Sequence, residues 1–131
     1  MAELSAGEQI AELKVTPDKY LPHRYAGASG DFNPIHIDDE FAKAVGLPRN
    51  ILHGLYSMGL VARANAAVAG GDPRALKRLS VQFRGMGAPE TEIVVTGTVK
   101  SVDGDRVVVD TLAQQGETAI IKNAEAEVQL L

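Results

Sequence analysis

The sequence predicts an α+β fold, an antiparallel sheet of about five strands wrapped around one long central helix. Three observations carry this reading. From about Leu79 onward the chain is rich in β-branched residues and broken by glycine turns. One earlier segment, Gly54 to Val68, repeats apolar residues at helical spacing. The length of 131 residues allows a single core, so residues 1–131 read as one domain.

The elements follow in order. Glu8 to Val15 reads as a strand. Thr16-Pro17-Asp18 supplies a capping hydroxyl, a proline at the first helical position and an acid in the first turn, which predicts a helix start there. Pro22 then interrupts or restarts that helix. Asp38 to Val45 is a short helix closed by Gly46. In Gly54 to Val68, Leu55, Met58, Val61, Ala62 and Ala66 form the apolar stripe, and the many small residues suit close packing on a sheet. Gly70-Gly71 stops it.

The strands come next. Leu79 to Arg84 alternates apolar and polar, the pattern of a half-buried strand, and ends at Gly85, Gly87 and Pro89. Glu92 to Val102, Arg106 to Ala113 and Thr118 to Leu130 are three further strands. Asp103-Gly104-Asp105 and Gln115-Gly116 provide the turn chemistry between them. The result is a meander with short connections.

Composition narrows the function. Thirteen basic against seventeen acidic side chains give a net charge of −4, against the basic face a nucleic-acid binder needs. With no cysteine there is no disulfide, no thiol nucleophile and no thiolate metal site. Ile51 to Ala69 is interrupted by His53, Arg63 and Asn65, so it is not a bilayer span, and Met1 to Ala11 lacks a leader pattern. The expected compartment is the cytoplasm, with neither nucleic acid nor membrane as a partner.

The densest polar cluster is Tyr25 to His36, where an acid, a carboxamide and an imidazole fall within six residues. Gly30 and Pro34 punctuate the backbone, so the segment reads as a shaped loop. Asp31 and His36 can then face one site, pairing a carboxylate with a group that titrates near neutrality. The same string is also good turn chemistry, and His36 alone could serve structure only. A second feature adds to the first: His53-Gly54 opens the central helix. The first helical amides lack internal acceptors and lie at the positive end of the dipole, and glycine lets a ligand oxygen approach closely. An acid/base pair with such an amide suffices for proton transfer beside a carbonyl. For His53, capping or packing is the plainer role.

The string Ser29-Gly30-Asp31-Phe32-Asn33-Pro34-Ile35-His36, with His53-Gly54-Leu55 beyond it, resembles the MaoC-like (R)-specific enoyl hydratases and dehydratases. Within them it looks most like the β-type subunits of (3R)-hydroxyacyl-carrier-protein dehydratases. The resemblance implies the hot-dog fold, usually dimeric, and reversible hydration of trans-2-enoyl thioesters to (3R)-3-hydroxyacyl thioesters. It implies Asp31 and His36 as the catalytic pair, Asn33 as a supporting residue and the Gly54 N–H as the oxyanion donor. The loop Arg84 to Glu90 departs from the family's usual Pro-Val-x-x-Gly-Asp run.

No cofactor is expected. No metal is expected either, because His36 and His53 lack ligand spacing with a third donor. The implied partners are an acyl-CoA or acyl-carrier-protein substrate and a second hot-dog subunit, as homodimer or heterodimer. Arg49, Lys77, Arg78 and Arg84 are candidates for the carrier's phosphates, or else a solvated basic cluster. Tyr56 and Met58 are candidates for an acyl-chain lining, or else ordinary core, and His23 is expected at the surface. Two alternatives stand beside hydration: an acyl thioesterase on the same scaffold, and one subunit of a heteromeric dehydratase active only with its partner.

Overall fold

The β-rich half forms the meander that its alternation and turn glycines predict. In the computed structural model, which describes residues 4–130, β3 (Ile93–Asp103), β4 (Arg106–Gln115) and β5 (Thr118–Gln129) are consecutive antiparallel neighbours. Gly104 and Gly116 sit in the two turns at φ 60° and 57°, a region that favours glycine. Two further strands flank the meander. β1 (Leu13–Val15) pairs with β3, and β2 (Leu76–Phe83) pairs with β5, giving the antiparallel order β1-β3-β4-β5-β2. β2 starts three residues earlier than the alternation indicates. β1 is far shorter than the predicted strand, although Gln9 bridges to Thr98 upstream of it.

Four helices precede β2: α1 (Leu21–Ser29), α2 (Pro34–Ile37), α3 (Asp39–Ala44) and α4 (Gly54–Ala66). The predicted helix start at Thr16-Pro17-Asp18 is corrected: the chain there is not helical, and Asp18 instead accepts the Tyr20 N–H and pairs with Arg24. Pro22 does not break α1 but seeds it, lying in the first turn where no backbone hydrogen bond is lost. Asp38 caps α3 by accepting the Phe41 N–H. Gly46 (φ 95°) and Gly70 (φ 78°) follow the ends of α3 and of the short 3₁₀ turn Ala67–Ala69 that extends α4.

The core lies between α4 and the sheet. Leu60, Val61 and Ala64 pack with Ile93, Val95, Ala113, Ile120, Ile121 and Ala124. Burying each large aliphatic side chain is worth about 1.5–3 kcal/mol. This is the helix-in-sheet arrangement that the resemblance implied. The inward face of α4 differs from the predicted stripe. Ser57, Leu60, Val61, Ala64, Asn65 and Ala66 are buried, whereas Leu55 is 63% exposed. The reason is polar: Asn65 Nδ2 donates to the Thr111 hydroxyl on β4 at 3.0 Å and to the Val61 carbonyl at 2.9 Å, so a carboxamide occupies a core position at full satisfaction of its donors.

Candidate active site

The Tyr25–His36 segment is not a single loop. Tyr25 to Ser29 belongs to α1, Gly30 to Asn33 forms a tight connection, and Pro34 starts α2, which carries His36. Gly30 ends α1 in the left-handed region at φ 80°. A ladder of short side-chain bonds then shapes the connection. Asp31 N–H donates to Ser29 Oγ, Asn33 N–H donates to Asp31 Oδ1, and Ile35 N–H donates to Asn33 Oδ1, each at 3.2 Å. Asn33 is thus the N-cap of α2, and Asp31 Oδ1 is tethered while Oδ2 faces the imidazole.

His36 Nε2 lies 3.8 Å from Asp31 Oδ2. Its Nδ1 lies 2.9 Å from the Ile51 carbonyl oxygen. A carbonyl only accepts, so Nδ1 carries the proton and the Nε2 lone pair of the neutral ring faces the carboxylate side. The ring is 8% exposed, whereas the Asp31 side chain is open to solvent. The backbone of α2 is held in turn: Asn50 Nδ2 donates to the His36 carbonyl at 2.8 Å, and Ile51 N–H donates to the Ile35 carbonyl. Asn50 is buried, and its own N–H is accepted by Asp39. The Lys43 ammonium, and after it the Asn50 amide, hold the Asp39 carboxyl below the usual carboxylate range.

Gly54 is the first residue of α4 and is exposed, so its N–H has no intrahelical acceptor. A side chain there would meet Phe83: a Cβ would lie 3.1 Å from Phe83 Cε1. Phe83, at the end of β2 and 53% exposed, therefore stands over the helix start. Two small cavities meet at this pair. One, about 270 Å³, is lined by Tyr25, Asp31, His53, Gly54 and Phe83. The other, about 160 Å³, is lined by His36, Ser57, Gly54, Phe83, Met86 and Ile120. Asp31, His36 and Gly54, the residues singled out in the sequence, are thus brought to one place, with Asn33 bonded to Asp31 through its N–H.

His53, Asn50 and Phe83 are the neighbours that sequence reasoning missed or undervalued. His53 caps nothing through its side chain. Its ring is buried, stacks on His36 with centroids 3.9 Å apart at 21°, and leans on Tyr25 at 4.7 Å. The argument that His36 and His53 lack a third donor is also corrected. Asp31, His36 and His53 each place a ligand-type atom within 4.8 Å of the others. One nitrogen of each ring is hydrogen-bonded to a carbonyl, which leaves His36 Nε2 facing Asp31 and His53 Nδ1 buried without a hydrogen-bond partner.

The other side chains distribute as follows. Tyr56 and Met58 pack against the core cluster and line neither cavity, and burial pushes the Tyr56 hydroxyl pKa up. His23 is exposed and bonds the Ile37 carbonyl. Arg49 pairs with Glu90, and Arg84 bonds Gln82 next to Phe83. Lys77 and Arg78 lie near the start of β2, with Arg78 about 17 Å along the strand from Phe83, too far to join the same mouth. The divergent loop after β2 is pinned by Gln115, whose side chain accepts from the Ala88 N–H and donates to the Ala88 and Thr91 carbonyls.

Residues 6–120 match the protein family described as MaoC like domain. The chain is 34% identical over 113 residues to peroxisomal enoyl-CoA hydratase 2 of Arabidopsis thaliana, covering 86% of this chain and 35% of that protein. It is 33% identical over 114 residues to enoyl-CoA hydratase ChsH3 of Mycobacterium tuberculosis, covering 86% and 37%. It therefore spans little more than a third of the length of these relatives. Among solved structures, a MaoC-like dehydratase superposes with TM-score 0.90 at 31% identity over 98% of this chain and 41% of that one. An (R)-hydratase from A. caviae involved in PHA biosynthesis gives TM-score 0.84 at 22% identity over the whole of both chains. One chain of the ChsH1–ChsH2 complex of M. tuberculosis gives TM-score 0.84, also at 22%, over 96% of this chain and 98% of that one. The last two likenesses show the fold.

Proposed function

The chain belongs to the MaoC-like hydratase/dehydratase domain family, and on that premise we propose that it is a hydro-lyase that adds water reversibly to trans-2-enoyl thioesters, giving (3R)-3-hydroxyacyl thioesters. The observation that carries the reading is the 3.8 Å approach of Asp31 Oδ2 to the His36 Nε2 lone pair beside an unengaged helix-start amide. One water can sit about 2.8 Å from both atoms and donate a hydrogen bond to each. The thioester oxygen takes the Gly54 N–H, which stabilises the enolate-like charge that develops there; one such donor is worth about 3 kcal/mol. The Asp31/His36 pair withdraws a proton from the water as its oxygen bonds C3, and the pair returns a proton to C2, so the step balances without any co-reactant. Asn33 keeps Asp31 in register through its own N–H.

The acyl carrier, coenzyme A or a carrier protein, enters over Phe83, with Arg84 at hand for a phosphate. Leu55, Phe83 and Met86, which line the two cavities, are each more than half exposed. β2 also leaves one sheet edge unpaired. Both features support a second hot-dog subunit, identical or related, that covers the groove. Among the described residues no helix is long and apolar enough to cross a membrane. We place the enzyme in the cytoplasm, although the plant relative is named peroxisomal.

The test is crotonyl-CoA hydration followed by loss of enoyl-thioester absorbance, with chiral analysis of the product. Asp31→Asn and His36→Ala should each lower kcat by about 10²–10⁴-fold, the usual worth of acid–base catalysis. Wild-type rates in both variants overturn the site. Release of free thiol in place of hydration points to a thioesterase.

A further inference from the structure

We propose that His53 is a positioning residue for the catalytic pair; the proposal rests on the hydratase reading above. The His53 side chain touches both members of the acid/base pair, and its backbone adjoins the Gly54 amide. Its Nε2 lies 2.9 Å from the backbone carbonyl of Asp31, its ring lies flat against His36, and its peptide continues directly into the Gly54 N–H. Because a carbonyl only accepts, Nε2 carries the proton and donates it to Asp31. This bond holds the Asp31 carbonyl, while Ser29 Oγ accepts from the Asp31 N–H and the Asn33 N–H donates to Asp31 Oδ1.

Packing alone does not explain a histidine here. Nδ1 of His53 is buried without a hydrogen-bond partner. An apolar side chain would fill the space against Tyr25 and His36 without that cost. Capping does not explain it either, since no side-chain cap bond forms. What histidine alone supplies is a flat face for the His36 ring together with an in-plane N–H that reaches the Asp31 carbonyl. The face sets the plane of His36, whose Nδ1–H is fixed by Ile51, and so the direction of its Nε2. The N–H sets the height of Asp31. Both atoms that would hold the reacting water are therefore referred to one ring, on the helix that also carries the oxyanion donor.

Two variants separate the contributions. In His53→Gln the side-chain amide reaches to about where Nε2 lies, so the bond to Asp31 survives. In His53→Asn it reaches only to Nδ1, and the bond is lost. With crotonyl-CoA, His53→Asn should lower kcat at least tenfold with KM within threefold of wild type, and His53→Gln, which keeps the bond but not the ring face, should recover part of that loss. In the Asp31→Asn background, His53→Asn should cost less than it does in the wild type, because the part of its effect that passes through Asp31 is already lost. The proposal is overturned if His53→Asn keeps kcat within tenfold, if the two variants lose equally, or if the loss persists undiminished in the Asp31→Asn background. An independent arm needs no substrate: ¹⁵N-histidine spectra at neutral pH should show a proton on His53 Nε2. A ring protonated at Nδ1 alone overturns the proposal whatever the activity. Wild-type inactivity on crotonyl-CoA together with the expected His53 spectrum would fault the hydratase reading and leave the geometry standing.

Discussion

Replacing Gly54 with proline isolates a single hydrogen atom. Gly54 is the first residue of α4, where proline is tolerated because the N–H makes no intrahelical bond and helical φ is already near the proline value. The preceding residue must be extended when followed by proline, and His53 is, at φ −64° and ψ 135°. Gly54→Pro should thus fold and melt within a few degrees of the wild type while losing the donor proposed to hold the thioester oxygen. Its side-chain atoms would crowd Phe83, so Gly54→Ala is the control: it adds the Cβ, 3.1 and 3.2 Å from two ring atoms, but keeps the N–H. Phe83 is exposed and can give by the few tenths of an ångström required, so the alanine variant should retain at least a tenth of wild-type kcat. Removing one oxyanion donor costs about 10²–10³-fold, or about 2.7–4 kcal/mol. Gly54→Pro should therefore fall that far below Gly54→Ala in crotonyl-CoA hydration. A proline variant within tenfold of the alanine variant, both folded, refutes the role of the amide. Equal inactivation of both would show instead that space over Gly54, and not the N–H, is what the substrate needs.

Two further outcomes concern the scaffold. Thr111→Val leaves the Asn65 carboxamide short of a partner in the core and should cost about 1–3 kcal/mol. Thermal melts should fall by roughly 3–5 °C for each kcal/mol, and the double variant Thr111→Val/Asn65→Leu should recover much of the loss. The Asp39 carboxyl is lowered in the folded state from its ordinary 3.8, chiefly by Lys43 and then by the Asn50 N–H. Its stabilisation is therefore full above the unfolded value and is lost as pH falls through the folded one. The melting difference between wild type and Asp39→Asn should be present at pH 7 and shrink below about pH 4; a difference that grows on acidification contradicts the assignment.

What the sequence made legible were features whose cause is local. The strands from Ile93 to Gln129 follow from β-branched runs and from glycines at the two turns, and Asp31 and His36 stand in one short string whose caps and turns are written in adjacent residues. Three things were not legible, two of them because their cause is a partner distant in the chain and one because nearby side chains compete for the same carboxylate. The inward face of α4 includes Ser57 and Asn65, and Asn65 is acceptable there only because Thr111 comes from β4 to meet it. The helix start at Thr16-Pro17-Asp18 has sound local chemistry, yet Asp18 is spent on Tyr20 and Arg24 and the helix begins at Leu21. His53 reads as a cap at the head of a helix, and only the fold reveals that it reaches back 22 residues to the Asp31 carbonyl and lies against His36.

The site is made of two kinds of support, and they should fail differently. The proposed oxyanion donor belongs to α4, whose inner face is locked onto the sheet by Leu60, Val61 and Ala64. Damage to it requires damage to the core or to the amide itself. The acid/base pair lies on the tight connection and the one-turn helix outside the sheet, held by single bonds from Ser29, Asn33, Asn50 and Ile51 and by the ring of His53. Such bonds are worth about 0.5–1.5 kcal/mol each, too little to affect folding severely yet enough to move a carboxylate by an ångström when one is lost. Substitutions in this outer shell should thus lower kcat in proteins that melt almost normally, whereas core substitutions such as Thr111→Val should lower stability first and leave the chemistry of the surviving folded fraction intact. On the proposed hydratase reading, the rigid part of the fold would hold the charge that develops on the substrate, and the adjustable part would hold the water.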